Sequence, residues 1–155
     1  MPMTIHGWGF SLQTLESENL FRFIKNHRET VFKSAYANRG KIIYNRAVAG
    51  DAFGLVDLCK NSGYAGTGAV ISNIMSTETG VQFRYFHPEE NSSLASPVIL
   101  FDTDINPAYR NKRSKTVTRD EVFAICQEYI NELGLNTNPS DIEFLTGEDY
   151  DPNED

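Results

Sequence analysis

Four consecutive apolar residues, Val98-Ile99-Leu100-Phe101, are the sequence feature that most constrains the fold. An uninterrupted apolar run of this length is typical of a β-strand whose two faces are both covered, because a half-exposed strand alternates with polar residues. The run therefore predicts a strand at the centre of a sheet. The chain has 155 residues, of which 40% are hydrophobic and 12% aromatic, and this suffices for one domain with a single core.

Five further segments have strand patterns, at residues 4–12, 41–44, 69–75, 81–86 and 142–145. Two glycines interrupt the first segment and predict a bulge or bend there. The second follows a turn signal at Asn38-Arg39-Gly40. The third and fourth flank a short polar loop, which predicts a β-hairpin. The last segment is expected at an edge of the sheet.

Helical periodicity predicts helices at residues 15–34, 52–63 and 118–134. The last one begins with a capping box at Thr118 and Glu121 and stops at Gly134. Because strands and helices do not alternate, we expect an α+β fold: a single domain with an antiparallel or mixed sheet of four to six strands and two or three helices packed on one face. The domain is expected to span residues 1–147, followed by an acidic, mobile tail at residues 148–155.

Charge is distributed unevenly along the chain. The formal net charge is −7, from 21 Asp and Glu against 14 Lys and Arg. Arg119 is the last basic residue, and the 36 residues after it contain 11 acids. Conversely, the segment from Arg22 to Arg46 contains seven bases and one acid. The fold decides whether these regions neutralise each other or present separate fields.

The acidic region favours a non-enzymatic binding protein that docks to a basic macromolecular partner, because spaced carboxylates complement a basic groove and compete with nucleic acid there. Small immunity proteins and phage-encoded inhibitors of nucleases are similar in charge and size, and by that analogy the hypothesis includes an inhibitor of a nuclease or another nucleic-acid enzyme. The expected partner-binding residues are Asp120, Glu121, Glu128, Glu132, Asp141, Glu143, Glu148, Asp149 and Asp151. The alternative interpretation is an acidic end that only solvates the chain.

The basic residues support a second hypothesis, a nucleic-acid or nucleotide-binding module. Aromatic faces stack on bases and basic side chains neutralise phosphates. The first candidate surface is the segment from Arg22 to Arg46, interleaved with Phe23, Phe32, Tyr36 and Tyr44. The second is the loop from Arg110 to Arg119, with possible phosphate contacts at Arg110, Lys112, Arg113 and Lys115. Core positions for the aromatic residues and local charge balance in the loop are the alternatives.

A third hypothesis arises where the apolar run ends in Asp102-Thr103-Asp104, because two carboxylates at a strand end can share a hard cation such as Mg²⁺. These seven residues resemble the first motif of haloacid dehalogenase phosphatases. The resemblance implies a Mg²⁺-dependent phosphoryl-transfer enzyme, with Asp102 as nucleophile and Asp104 as acid/base. The sequence departs from that family at Ile105-Asn106, where the family has Gly-Thr. A solvated Asx-type turn is the alternative.

The remaining sequence provides no catalytic or cofactor-binding motif. The histidines have no metal-ligand spacing with the cysteines, and both cysteines, Cys59 and Cys126, fall on apolar helix faces as buried, reduced thiols. The glycine-rich loop at residues 63–68 is expected to leave a helix and enter a strand, whereas a phosphate-binding loop enters a helix. No cofactor is therefore expected, and an enzyme is the less favoured class.

Neither a signal peptide nor a membrane-spanning segment is recognisable, since the first ten residues lack basic and apolar regions and no run reaches about 18 apolar residues. We therefore expect a cytoplasmic protein without a membrane partner. The sequence leaves the oligomeric state open. It also leaves open whether Trp8, within His6-Gly7-Trp8-Gly9-Phe10, lies in the core or forms an exposed anchor.

Overall fold

Strand β1, Met3–Ser11, lies in the interior of a four-stranded antiparallel sheet. The computed structural model describes residues 3–33, 37–51, 67–86, 94, 98–102 and 117–149. The other strands are β2 (Phe83–Phe86), β3 (Val98–Asp102) and β4 (Glu143–Asp149). Their order in the sheet is β2-β3-β1-β4, and every neighbouring pair is antiparallel. The predicted single-domain α+β fold is confirmed.

The described residues form five helices, more than the two or three expected. They are α1 (Ser17–Asn26), α2 (Arg28–Lys33), α3 (Ala37–Val48), α4 (Thr67–Thr79) and α5 (Arg119–Glu132). A short 3-10 helix, Pro139–Asp141, connects α5 to β4. All five helices contribute buried residues to the main core, which also contains Phe10, Phe83, Ile99 and Phe101 from one face of the sheet.

Both faces of β3 are covered, as its apolar run predicts. Each of its residues from Val98 to Phe101 is fully buried. Ile99 and Phe101 belong to the main core, whereas Val98 and Leu100 form a second cluster with Leu145 on the opposite face. Because full burial of a side chain of this size stabilises a fold by about 1.5–3 kcal/mol, β3 makes a large contribution to stability.

The two glycines of β1 make room for that second cluster. A Cβ atom on Gly9 would lie 2.8 Å from Cγ1 of Val98 and 3.2 Å from Cδ1 of Leu145. A Cβ atom on Gly7 would overlap the carbonyl oxygen of Phe101. The register of β1 with β3 and β4 is continuous, so β1 has no bulge over its described length. The glycines therefore reflect close packing and not the bulge that the sequence suggested.

Two assignments in the N-terminal half are wrong. The helix predicted at residues 15–34 is divided at His27 into α1 and α2. Residues 41–44, predicted as strand, lie within α3, and so does the predicted turn at Asn38-Arg39-Gly40. Ile43 and Tyr44 pack against the main core while Lys41 and Ile42 are exposed, and this burial on one side overrides the weak strand preference of the isoleucines.

The predicted hairpin is also wrong. Residues 69–75 belong to α4, where Ile71, Ile74 and Met75 reach the main core at helical spacing. Strand β2 pairs with β3 instead. The prediction that the glycine-rich segment at residues 63–68 enters a strand is wrong as well, because its last two residues, Thr67 and Gly68, begin α4. Residues 52–66, with the predicted helix at 52–63, lie outside the described residues.

The C-terminal elements agree with expectation more closely. Helix α5 begins as predicted, with the backbone N–H of Glu121 donating to Oγ1 of Thr118 at 3.2 Å. Strand β4 pairs with β1 at the end of the strand order, so it is the predicted edge strand. It includes Glu148 and Asp149, which were predicted to belong to the acidic tail.

Replacing Gly40 by alanine tests the contact between α2 and α3. In an exposed helix this change stabilises by about 1 kcal/mol. Here the added methyl group would overlap the carbonyl oxygen of Val31. We therefore expect Gly40→Ala to lower the free energy of unfolding by about 1–3 kcal/mol in urea denaturation. Lys41→Ala, at an exposed neighbouring position, is the control and should change it by less than about 0.5 kcal/mol. A higher free energy of unfolding for Gly40→Ala than for the wild type would contradict the close contact between Gly40 and the carbonyl of Val31.

Candidate functional site

The outward side of α5 presents carboxylates to solvent. Val122, Cys126 and Ile130 point into the core, and the opposite side of the helix is exposed. Asp120, Glu121 and Glu128 are exposed, and we call these three residues the acidic helix face. Among the residues that the structure describes, none of the three forms a salt bridge with a base. Their negative charge is therefore not neutralised by a described ion pair.

The other acids predicted to bind a partner lie on different elements. Glu132 ends α5 and accepts hydrogen bonds from His27 and Asn26. Asp141 accepts from the backbone N–H of Asn138 at 2.8 Å and so caps the 3-10 helix. Glu143 is half-buried in β4. The side chains of Glu148 and Asp149, and all of Asp151, lie outside the described part of the chain.

A second charged group joins α4 and α5 to the junction of α1 and α2. We call it the His27 cluster; it consists of His27, Thr30, Glu78, Tyr129 and Glu132. Nδ1 of His27 lies 2.6 Å from Oε2 of Glu78, and Nε2 lies 2.8 Å from Oε2 of Glu132. The hydroxyls of Thr30 and Tyr129 donate to Glu78 at 2.6 and 2.9 Å. Both ring nitrogens donate only when the imidazole is protonated.

Hydrogen bonds stabilise the charged forms in this cluster. Burial opposes protonation of His27, but its hydrogen bonds to Glu132 and Glu78 outweigh burial and raise its pKa above the ordinary value of 6.5. Burial also opposes ionisation of Glu78, yet hydrogen bonds from Thr30, His27 and Tyr129 lower the pKa of Glu78 below 4.5. Since both nitrogens of His27 face carboxylates, the cluster joins helices and offers no free nitrogen for acid–base catalysis.

Sequence reasoning missed the His27 cluster. Glu78 was predicted to lie in the loop of the hairpin. The partners of His27 are separated from it by 51 and 105 residues, and no local spacing relates them. Only the correct assignment of residues 67–79 as a helix would have brought Glu78 into consideration.

A row of four aromatic side chains crosses the sheet, one from each strand: Phe83, Phe101, Trp8 and Phe144. The rings of Phe83 and Phe101 meet edge-on at 5.7 Å, and those of Trp8 and Phe144 meet edge-on at 5.3 Å. Phe83 and Phe101 are buried, Trp8 is half-buried and Phe144 is 51% exposed. The row therefore runs from the core to the open edge of the sheet.

Polar contacts hold the exposed end of this row. The indole Nε1 of Trp8 donates to the carbonyl of Val117 at 2.9 Å, and the guanidinium of Arg119 lies 5.5 Å from the centre of the Trp8 ring. His6 stacks parallel to Phe144 with ring centres 6.5 Å apart. We call Phe144, Trp8, His6 and Arg119 the Phe144 patch. Trp8 thus belongs to both the core margin and the surface.

The basic segment from Arg22 to Arg46 is spread over α1, α2 and α3. Arg22 donates to the carbonyl of Glu132 at 3.1 Å, so α1 contacts the end of α5. Arg46 pairs with Asp51 at 2.9 Å. Arg28 lies over the rings of Phe32 and Tyr44, at 4.6 and 5.6 Å. Of the interleaved aromatic residues, Phe23 is a core residue, Phe32 and Tyr44 pack against the core, and Tyr36 lies outside the described residues.

The predicted magnesium site falls at the limit of what the structure describes. Asp102 is the last residue of β3, opposite Gly7 of β1. Its side chain, Asp104 and the loop with Arg110, Lys112, Arg113 and Lys115 lie outside the described residues. The metal site and the phosphate contacts stay predictions.

The His27 cluster predicts a pH-dependent stability. Since the pKa of His27 is raised in the folded state, its stabilising charge is fully present below about pH 6.5 and is lost as pH rises through the raised pKa. We expect the free energy of unfolding to fall as pH rises from about 6.5 through the raised pKa of His27. His27→Gln should abolish this fall and should cost about 1–2 kcal/mol near pH 6, as measured by urea denaturation. His6→Gln, which changes a different histidine, is the control and should keep the dependence. Equal pH profiles for the two variants would contradict the role of His27.

No helix among the described residues has both the length and the apolar character needed to cross a membrane. Within the same residues, no group of three or more His, Cys, Asp or Glu side chains is arranged to hold a metal ion. Comparison with protein-family models, with curated proteins and with solved structures finds no match to this chain.

Proposed function

We propose that this chain is a non-enzymatic binding protein that docks to a basic macromolecular partner. One observation supports it most directly: Asp120, Glu121 and Glu128 are exposed on α5 and form no salt bridge with a described base. Residues 120–155 contain no Lys or Arg. Carboxylates presented in this way attract a basic surface at a distance and speed association at low salt.

The rigidity of α5 supports the same proposal. Thr118 caps the first turn of α5, and Glu132, the last residue of α5, is bound by His27. Asp120 and Glu128 are eight positions apart, which corresponds to about 12 Å along a helix. Because the helix is fixed at both ends, ordering this surface on binding costs little conformational entropy. Such a surface is suited to occupying the nucleic-acid groove of an enzyme, which makes an inhibitor the favoured form of the proposal.

The free, buried thiol of Cys126 supports a cytoplasmic location, because buried reduced thiols are typical of reducing compartments. Burial raises the pKa of this thiol to about 12, so the cysteine is not a nucleophile at neutral pH.

Charge reversal on the acidic helix face tests the proposal. We expect Asp120→Lys combined with Glu128→Lys to abolish capture of a basic protein from lysate of the native host, with bound proteins identified by mass spectrometry. The wild-type protein should retain that partner at low salt and release it at about 1 M salt, where charges are screened beyond about 3 Å.

Glu18→Lys combined with Glu29→Lys is the matched control. Both double variants change the formal net charge from −7 to −3, since each replaces two acids by two bases. Glu18 and Glu29 are exposed, as Asp120 and Glu128 are, but they lie in the first turns of α1 and α2. The control should retain the partner. Equal capture by both double variants would overturn the proposal, and recovery of nucleic acid without a basic protein would favour the nucleic-acid-binding alternative.

A further inference from the structure

Helices α2 and α3 meet at an arginine that is stacked on two aromatic rings. The guanidinium of Arg28 lies 4.6 Å from the centre of the Phe32 ring and 5.6 Å from the centre of the Tyr44 ring. The two rings meet edge-on at 5.4 Å. Arg28 is exposed, and no carboxylate of the described residues forms a salt bridge with it. We call Arg28, Phe32 and Tyr44 the Arg28 stack.

The stack holds the guanidinium in a fixed orientation. Phe32 and Tyr44 are half-buried and pack against the main core, so both rings have a rigid support. Arg28 lies four positions before Phe32 and therefore on the same side of α2. The five N–H donors of a guanidinium lie in its plane, and stacking covers a face of that plane but not its edge. Arg28 is thus preoriented to donate two parallel hydrogen bonds to one anion.

The charged residues at the stack are mostly basic. Lys41 is exposed on α3 three positions before Tyr44, which makes the two side chains neighbours. Lys33 is exposed on α2, about 7.5 Å along the helix from Arg28. Residues 28–48 contain five bases and one acid, Glu29, which lies four positions before Lys33 and offsets one charge. The surface around the stack is therefore positive.

A single-stranded nucleic acid is the occupant that matches both the charges and the rings. Positive charges on two neighbouring helices attract a polyanion. Unpaired bases also stack on aromatic rings and on the planes of arginine side chains, whereas the bases of a duplex already stack on one another. An acidic protein segment would use the charges but would leave the stacked plane of Arg28 unused.

We propose that the Arg28 stack and Lys41 form a binding site for single-stranded nucleic acid. The edge of the Arg28 guanidinium donates to a backbone phosphate, and Lys41 neutralises a second phosphate. An unpaired base stacks on the face of the guanidinium that is turned away from Phe32 and Tyr44. The site lies on different helices from the acidic helix face. It therefore adds a second class of ligand to the proposed function and does not depend on it.

Binding of a fluorescently labelled oligothymidylate to the full chain tests this inference, with fluorescence anisotropy measured at low salt. The comparison probes are the duplex of the same oligothymidylate with oligodeoxyadenylate, and polyaspartate of equal charge. We expect the single strand to bind and its affinity to fall as salt is raised, because binding releases counterions from the phosphates. The duplex and polyaspartate should bind at least about tenfold more weakly, since neither offers an unpaired base.

Variants of Arg28 separate its stacking from its charge. Arg28→Ala should weaken oligothymidylate binding about tenfold and reduce the slope of log affinity against log salt by about 0.7, the value for one phosphate contact of a single strand. Arg28→Lys keeps the charge but loses the planar group, and should weaken binding about threefold. Arg119→Ala is the matched control, because it also removes an exposed guanidinium that lies over an aromatic ring, that of Trp8. It should change the affinity less than about twofold. Thermal unfolding checks that each variant is folded.

Four outcomes would contradict the inference. Absence of oligothymidylate binding would remove the site. Equal losses in Arg28→Ala and Arg119→Ala would show that binding depends on total charge and not on the Arg28 stack. Polyaspartate binding as tight as that of oligothymidylate would replace the nucleic acid with an acidic protein, and tighter binding of the duplex would exclude stacking of an unpaired base. None of these results bears on the charge-reversal variants of the acidic helix face, so the proposed function is tested separately.

Discussion

The alternation of glycine and aromatic residues in β1 is the constraint on which the rest of the structure depends. Trp8 and Phe10 point towards the helices, while Gly7 and Gly9 allow β3 and Leu145 to approach closely on the other face. Because β1 pairs with both β3 and β4, it joins the start of the described chain to its end. A side chain at either glycine would separate the strands and weaken both cores at once.

The same arrangement determines where the charges lie. Helix α5 reaches the sheet through Val117, whose carbonyl accepts the hydrogen bond of Trp8, and its other end is held by the contact of Glu132 with His27. The end of α1 meets the end of α5. There His27 binds the carboxylate of Glu132, and Arg22 donates to the backbone carbonyl of the same residue. The side chains of Asp120, Glu121 and Glu128 on the outward side of α5 face solvent.

The Phe144 patch and the acidic helix face meet at the start of α5. Arg119 belongs to the Phe144 patch, and the next residue, Asp120, belongs to the acidic helix face. The His27 cluster holds the other end of α5 in position, because His27 binds Glu132.

The sequence by itself determined the α+β class, the buried strand β3, the start of α5 and the edge position of β4, because each depends on a local signal: an apolar run, a capping box or a terminal strand pattern. It did not determine that residues 41–44 and 69–75 are helical, since the isoleucines there suit strands locally and only packing against the core favours the helix. Tertiary structure also decided the His27 cluster and the exposed position of Phe144. Both depend on contacts between residues that are far apart in the chain, and no local pattern encodes such contacts.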